Sequence, residues 1–141
     1  MKKESMAGIV IVLIFLGVMV YFFTATETTK SEIPLFVSGE TRTIYEWAKT
    51  PDGATLLEQI PCYCGCKYEG HKNAYNCFWT DEGKFDKHSA TCSVCLDIAL
   101  KTKKMYDEGK DVCTIRKEID KFYETNKNLE TDTPLPAGCV E

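Results

Sequence analysis

PCYCGCKYEGHKNAYNCFWTDEGKFDKHSATCSVC, residues 61–95, is the most distinctive part of the chain. It holds six of the eight cysteines in the chain and both of its histidines. Glycines at Gly65, Gly70 and Gly83 interrupt it, and no long part of it has a helical or strand periodicity. We therefore expect irregular structure here, with at most a short strand or hairpin, fixed in shape by covalent bonds or by a metal ion.

The spacing of the cysteines and histidines suits a shared site. Cys62, Cys64 and Cys66 alternate, so on an extended strand their sulfurs would point to one side. Cys92 and Cys95 are three residues apart at the predicted start of a helix, where they share a face and where the helix N-terminus favours the thiolate. The candidate metal ligands are Cys62, Cys64, Cys66, His71, Cys77, His88, Cys92 and Cys95.

The nature of the cluster has two interpretations at this point. Mixed thiolate and imidazole donors suit zinc, and thiolate-rich sites also suit copper(I). A framework of disulfides is the alternative, because small domains outside the cytoplasm commonly use an even number of cysteines in this way. Disulfides alone would not explain why both histidines lie among the cysteines. Haem attachment is not predicted, since Leu96 rather than histidine follows Cys95.

Helical patterns precede this segment. Ile44, Trp47 and Ala48 recur at helical spacing and predict a short helix near residues 41–49. Thr50-Pro51 then predicts the N-cap and first residue of a second short helix. The inner face of that second helix is Leu56, Leu57 and Ile60.

Two longer helices are predicted after the segment. Gly109 is placed to end the first of them, and Asp111 to cap the second. The inner face of the first is Cys95, Ile98, Ala99, Thr102, Met105 and Tyr106. That of the second is Val112, Ile115, Ile119, Phe122 and Tyr123. The short link between them favours an antiparallel helical hairpin.

The N-terminus predicts a membrane anchor. Ala7 to Phe23 is an uninterrupted apolar run, close to the length that crosses a bilayer. A cleaved signal peptide is the alternative, but an aromatic end, Tyr21 to Phe23, is more typical of an interfacial anchor than of a cleavage site. Lys2 and Lys3 place the N-terminus in the cytoplasm and the domain on the extracytoplasmic side of the cell membrane.

The predicted fold class is mainly α: a small cysteine-rich helical domain, made of a helical hairpin and an irregular Cys/His loop, on a single N-terminal transmembrane helix. The predicted organisation is a cytoplasmic N-terminus at 1–6, a transmembrane anchor at 7–25, a spacer at 26–35, a Cys/His-rich domain at 36–126 and a C-terminal tail at 127–141. A net charge of −4 and the absence of a basic stripe argue against nucleic-acid binding.

A resemblance to a known family accompanies these patterns. Pro61-Cys62-Tyr63-Cys64-Gly65-Cys66 spells the motif of the PCYCGC family of extracytoplasmic bacterial proteins, many of them lipoproteins, whose function is unknown. The likeness continues through Gly70-His71, Cys77, His88 and the run Cys92 to Leu96, and in looser form covers about 44–123. It implies the same kind of domain and compartment, but no activity.

The chain departs from that family in two respects. It has no lipoprotein cysteine near the N-terminus, where the predicted helix would serve instead. Cys113 and Cys139 lie outside the shared set, and we expect them to form a local disulfide, apart from the six family cysteines and two histidines.

Three functions are consistent with the sequence. The first is a tethered carrier, buffer or assembly factor for copper or zinc, with a metal-accepting protein as its partner. The second is an accessory subunit of a membrane complex, in which the cluster is purely structural. The third is an enzyme, with Cys92-x-x-Cys95 acting in thiol–disulfide exchange, and it is disfavoured because the chain lacks the strand–helix alternation of a thioredoxin-like sheet.

Overall fold

The computed structural model describes residues 12–16, 18–19 and 32–140. The chain divides into two compact units, Met1–Ser31 and Glu32–Glu141. In the first unit, residues 12–16 and 18–19 are helical. None of the helices in the described ranges has both the length and the apolar character needed to span a membrane. The predicted anchor at 7–25 lies mostly outside the described residues, as does most of the predicted spacer.

The second unit is a small, mainly helical, cysteine-rich domain, as predicted. Its α-helices are α1 Gly39–Ala48, α2 Pro51–Leu57, α3 His88–Thr91, α4 Ser93–Asp107 and α5 Val112–Phe122. Its 3-10 turns are Cys66–Glu69, Tyr75–Cys77 and Glu124–Leu129. Helix α4 is central, because it packs against each of the other four α-helices. Strand pairing among the described residues is limited to one bridge, between Trp79 and Phe85.

Two residues, Thr50 and Gly53, fix the start of α2. Thr50 caps the helix, since its hydroxyl accepts the amide hydrogen of Gly53 at 3.1 Å. Gly53 passes so close to the preceding helix that an added Cβ would lie 2.1 Å from the carbonyl oxygen of Trp47. The predicted cap is confirmed, and Gly53 is what lets α1 and α2 fold tightly against each other.

Helices α4 and α5 form the predicted pair. Asp111 caps α5 by accepting the amide hydrogen of Thr114 at 3.0 Å, and Gly109 takes the positive φ, +77°, that ends α4. The predicted inner faces are wrong at two positions near the helix ends. Phe122 is 61% exposed, under the ammonium of Lys101, and Tyr106 is 39% exposed and donates a hydrogen bond to Asp52.

Tyr45 of α1 connects the helices to the irregular segment. Its ring packs against those of Phe78, Trp79 and Phe85, with centroids 4.9–6.1 Å apart. Its hydroxyl donates to the carbonyl oxygen of Asp86 at 2.7 Å and accepts from the amide of Ala90 at 3.0 Å. The segment between the cysteines therefore contributes to the hydrophobic core through its aromatic residues, besides carrying the candidate ligands.

The C-terminal segment is packed against the domain. Thr131, 2% exposed, accepts the amide hydrogen of Cys62 through its hydroxyl and donates its own amide hydrogen to the Cys62 carbonyl, both at 2.9 Å. Arg116 of α5 reaches the carbonyl oxygens of Thr133 and Pro134 at 3.3 and 3.2 Å. The backbone of the first candidate ligand is thus held by residues 69 positions later in the chain.

Cys113 and Cys139 form a disulfide, with their Cα atoms 5.3 Å apart. Reducing this bond, or replacing both cysteines with serine, is expected to lower the free energy of unfolding by about 3 kcal/mol, since the unfolded chain then loses a cross-link across 26 residues. Urea unfolding monitored by circular dichroism measures the change. Reductant should have no further effect on the double-serine variant. Equal stability of both proteins would show that the bond contributes nothing.

Candidate metal centre

The three cysteines of the PCYCGC loop converge because the chain turns at Gly65. Its φ of +86° is in the left-handed region, which side-chain-bearing residues rarely adopt. The sulfurs of Cys62, Cys64 and Cys66 lie within 4.8 Å of one another and of the sulfur of Cys95. The sulfurs come together as expected, through a turn at Gly65 and not along an extended strand.

The start of α4 completes one group of donors. His88 begins α3 and Cys92 is the N-cap of α4, so the short α3 places both beside the loop. The sulfur of Cys64 lies 3.4 Å from Nε2 of His88 and 3.3 Å from the sulfur of Cys95. The donor atoms of Cys64, His88, Cys92 and Cys95 all lie within 4.8 Å of one another.

A further group forms between the two 3-10 turns of the segment. The sulfur of Cys77 lies 3.5 Å from that of Cys66 and 3.4 Å from Nδ1 of His71. These three donors again lie within 4.8 Å of one another. The structure therefore brings together all eight residues that the sequence predicts as metal ligands, and we refer to them as the cluster.

The spacing of the cluster atoms fits metal ligation. The six cluster cysteines are free thiols, and four pairs of their sulfurs lie 3.3–3.5 Å apart. A disulfide would need about 2.05 Å. A tetrahedral ion with metal–sulfur bonds of about 2.3 Å separates its sulfurs by about 3.8 Å and a sulfur from an imidazole nitrogen by about 3.6 Å. A small outward movement would turn these contacts into the edges of a coordination polyhedron.

Each histidine has a carboxylate on the ring nitrogen that faces away from the thiols. Nδ1 of His88 lies 3.2 Å from Glu69, and Nε2 of His71 lies 3.8 Å from Asp86. The pairing is crossed, because each carboxylate stands two residues before the other histidine in the sequence. A carboxylate hydrogen-bonded to the far nitrogen is typical of a metal-bound histidine, where it fixes the ring and raises its basicity. Glu69 is within hydrogen-bond distance of His88, whereas Asp86 is at ion-pair distance from His71. Neither carboxylate was predicted from the sequence, although the repeated acidic-x-His spacing was available as a signal.

The surroundings also shift the pKa of His88. Burial by itself would lower this pKa, but the hydrogen bond to Cys64 and the negative charges of Cys64 and Glu69 outweigh it and raise the pKa. The metal-free His88 therefore holds its proton more tightly than a free histidine does. A metal ion that binds His88 would have to displace this proton.

The thiols of the loop lose their protons easily. Hydrogen bonding from Cys64 is the main reason that the pKa of Cys62 falls to about 4, and bonding from Cys62 lowers the pKa of Cys66 to about 3. At Cys64 the bond with Cys62 raises the pKa, but bonds from Cys66 and Cys95 outweigh it, and the pKa falls to about 6. The loop cysteines therefore supply thiolates at neutral pH, which can bind a cation.

The remaining thiols hold their protons. Hydrogen bonds to Cys62 raise the pKa of Cys77 and of Cys95, and burial raises the pKa of Cys92. Burial at Cys92 and the neighbouring sulfurs at Cys95 thus act against the ionisation that a helix N-terminus favours.

Comparison with known protein families gives the same result as the PCYCGC motif. A family model described as a protein of unknown function with PCYCGC motif matches residues 23–136. The chain belongs to this PCYCGC family. No curated protein and no solved structure shows significant similarity to the chain. Membership of the PCYCGC family thus covers nearly all of the helical domain and leaves the function to be argued from the cluster.

Replacing Glu69 with glutamine is expected to weaken metal binding by about 10- to 100-fold, the usual cost of losing such a carboxylate. Glutamine keeps the shape of the side chain but no longer raises the basicity of His88. Competition with a coloured chelator measures the affinity. The matched control is Glu82→Gln, whose carboxylate is fully exposed and bonded to Thr80. Equal affinities of the two variants would contradict a role for Glu69.

The affinity of the PCYCGC domain for metal is expected to rise with pH between roughly pH 6 and 9. A metal ion takes thiolates, so protons still held in the metal-free protein must leave when it binds. The raised pKa values of Cys77, Cys92 and Cys95 keep these thiols protonated at neutral pH. Each displaced proton should add about tenfold in affinity per pH unit. A flat profile in chelator competition would show that these three thiols are not ligands.

Proposed function

We propose that this protein is a membrane-tethered, extracytoplasmic metal-binding protein that carries, buffers or helps to insert a thiophilic ion, copper or zinc. The observation that carries the proposal is the convergence of six free thiols and two imidazoles in groups whose donor atoms lie within 4.8 Å of one another. Such soft donors favour copper(I) and zinc over hard cations. The carboxylate of Glu69 behind His88 supports the same interpretation.

The properties of Cys92 and Cys95 argue against thiol–disulfide exchange by this pair. An exchange cysteine needs an accessible thiolate with a lowered pKa. The pKa values of both Cys92 and Cys95 are raised, and Cys95 is buried. A pair with these properties is a poor nucleophile. It is suited instead to holding an ion that displaces its protons.

Metal binding is tested on protein purified anaerobically without chelator. Native mass spectrometry, together with elemental analysis and a free-thiol count, should find at least one copper or zinc ion and no disulfide among the six cluster cysteines. Metal-free protein with three disulfides among them would overturn the proposal. Co-purification with other membrane proteins at fixed stoichiometry, with an ion that never exchanges, would favour an accessory subunit over a carrier.

The membrane part of the proposal rests on the two lysines before the apolar run of residues 7–23. A thiol reagent that cannot cross membranes should label the domain in intact cells, after mild reduction where needed. A cysteine-free cytoplasmic protein with one added surface cysteine serves as the control for leakage. Labelling of the domain only after lysis would overturn this placement.

A further inference from the structure

The two histidines belong to different groups of donors. His88 shares its group with Cys64, Cys92 and Cys95, whereas His71 shares its group with Cys66 and Cys77. No group with donor atoms within 4.8 Å contains both rings, although their centroids are only 5.1 Å apart. One ion could therefore take one histidine but not both without a rearrangement.

The number of donors also exceeds what one ion uses. Zinc in thiolate sites takes four ligands, and copper(I) is likewise coordinated by a small number of soft donors. The cluster offers eight. We call Cys64, His88, Cys92 and Cys95 the outer set, and Cys66, His71 and Cys77 the inner set. Cys62 lies between them, because its sulfur is within 4.8 Å of those of Cys64, Cys66 and Cys95.

Each set has an imidazole of its own. The outer set is Cys₃His, a common tetrahedral zinc arrangement, and the inner set brings two thiols and one imidazole together. Cys62, within 4.8 Å of Cys66, is the remaining thiol of the cluster. Nδ1 of His88 lies 3.2 Å from Glu69, and Nε2 of His71 lies 3.8 Å from Asp86, whose other oxygen accepts the amide hydrogen of His88. A single ion in either set would use only one of the two imidazoles.

The sets differ in access to solvent. Cys64, His88 and Cys92 of the outer set are half-buried and line an open cavity of about 590 Å³. The two thiols of the inner set, Cys66 and Cys77, are at most 1% exposed, and only its half-buried His71 lines a cavity, of about 250 Å³. An incoming thiolate or imidazole could reach the outer ion and bond to it while the bond to Cys92 breaks, without any change of oxidation state. The inner ion is closed to such an attack from the side of its sulfurs.

We propose that the cluster holds two thiophilic ions of unequal mobility: an exchangeable ion in the outer set, which is the cargo, and a retained ion in the inner set, which is structural. This inference rests on the proposed function and deepens it. It assigns the carrier role to the outer set and the structural role to the inner set of one cluster. Cys62, whose sulfur lies 3.3 Å from that of Cys95, stands between the two sets.

The test uses the whole chain, loaded anaerobically with Zn²⁺ and examined by native mass spectrometry. We expect two ions per chain. A coloured zinc chelator should then remove one ion at least tenfold faster than the other. Cys92→Ser and His88→Ala should eliminate or accelerate the fast phase alone, and His71→Ala should act on the slow phase alone.

The control is the double variant Cys113→Ser/Cys139→Ser, which removes two sulfurs away from the cluster and should keep both ions. His71→Ala serves in place of a buried cysteine variant, since its side chain is 11% exposed and its loss is less apt to prevent folding. A maximum of one ion, release in a single phase, or equal effects of His71→Ala and His88→Ala on both phases would overturn the two-ion proposal and leave metal binding intact. Zero ions would overturn the proposed function itself.

Discussion

Replacing Cys95 with serine is expected to weaken metal binding at least 1,000-fold, on the order of the 4 kcal/mol that such a ratio represents. Cys95 is 1% exposed and belongs to two of the three donor groups, with its sulfur 3.3 Å from those of both Cys62 and Cys64. A serine hydroxyl is a hard, protonated donor at neutral pH and cannot replace a soft thiolate. Competition against chelators of graded affinity measures the loss.

The control for this variant is Cys113→Ser/Cys139→Ser, because it also removes cysteine but not from the cluster. Its metal affinity should equal that of the unaltered protein. Circular dichroism establishes whether the Cys95→Ser protein keeps its helices, since serine at a buried core position leaves a smaller, more polar side chain. A helical Cys95→Ser protein that binds metal as tightly as the control would contradict ligation by Cys95.

Removing the metal is expected to lower the stability of the domain by about 4 kcal/mol when free metal had been held at roughly 1,000 times its dissociation constant. For a domain of this size the melting temperature should fall by on the order of 15 °C. The loss should be uneven. Amides in residues 61–92 should exchange faster, because this segment has only short helical turns to hold its backbone, whereas those of α5 should change little.

Hydrogen exchange followed by mass spectrometry, with and without chelator, measures this difference. The Cys95→Ser variant is the matched control, since chelator should change its exchange less than that of the unaltered protein, by the share that depends on the ion bound to Cys95. Equal protection of residues 61–92 with and without metal would show that the aromatic core, rather than an ion, fixes the segment. The contacts of Tyr45 with Phe78, Trp79 and Phe85 make this a real competing outcome.

Local patterns were sufficient for the helices. The Thr50 and Asp111 caps, the glycine at 109 and the buried stripe of α4 all depend on residues within a few positions of each other, and each lies where the sequence predicts. The errors at Tyr106 and Phe122 arose at helix ends, where the apolar stripe runs past the edge of its partner. Periodicity gives the face of a helix but not how far its neighbour extends.

The eight residues of the cluster could be predicted from the sequence, because their types and close spacing are visible in one 35-residue stretch. The sequence could not determine the contacts between distant parts of the chain. The crossed pairs of Glu69 with His88 and Asp86 with His71 depend on how the segment folds back on itself. The hold of Thr131 on Cys62 joins residues 69 positions apart. Such pairings, and with them the division of the donors into an open and a closed set, are decided by packing of the whole domain, which no local pattern encodes.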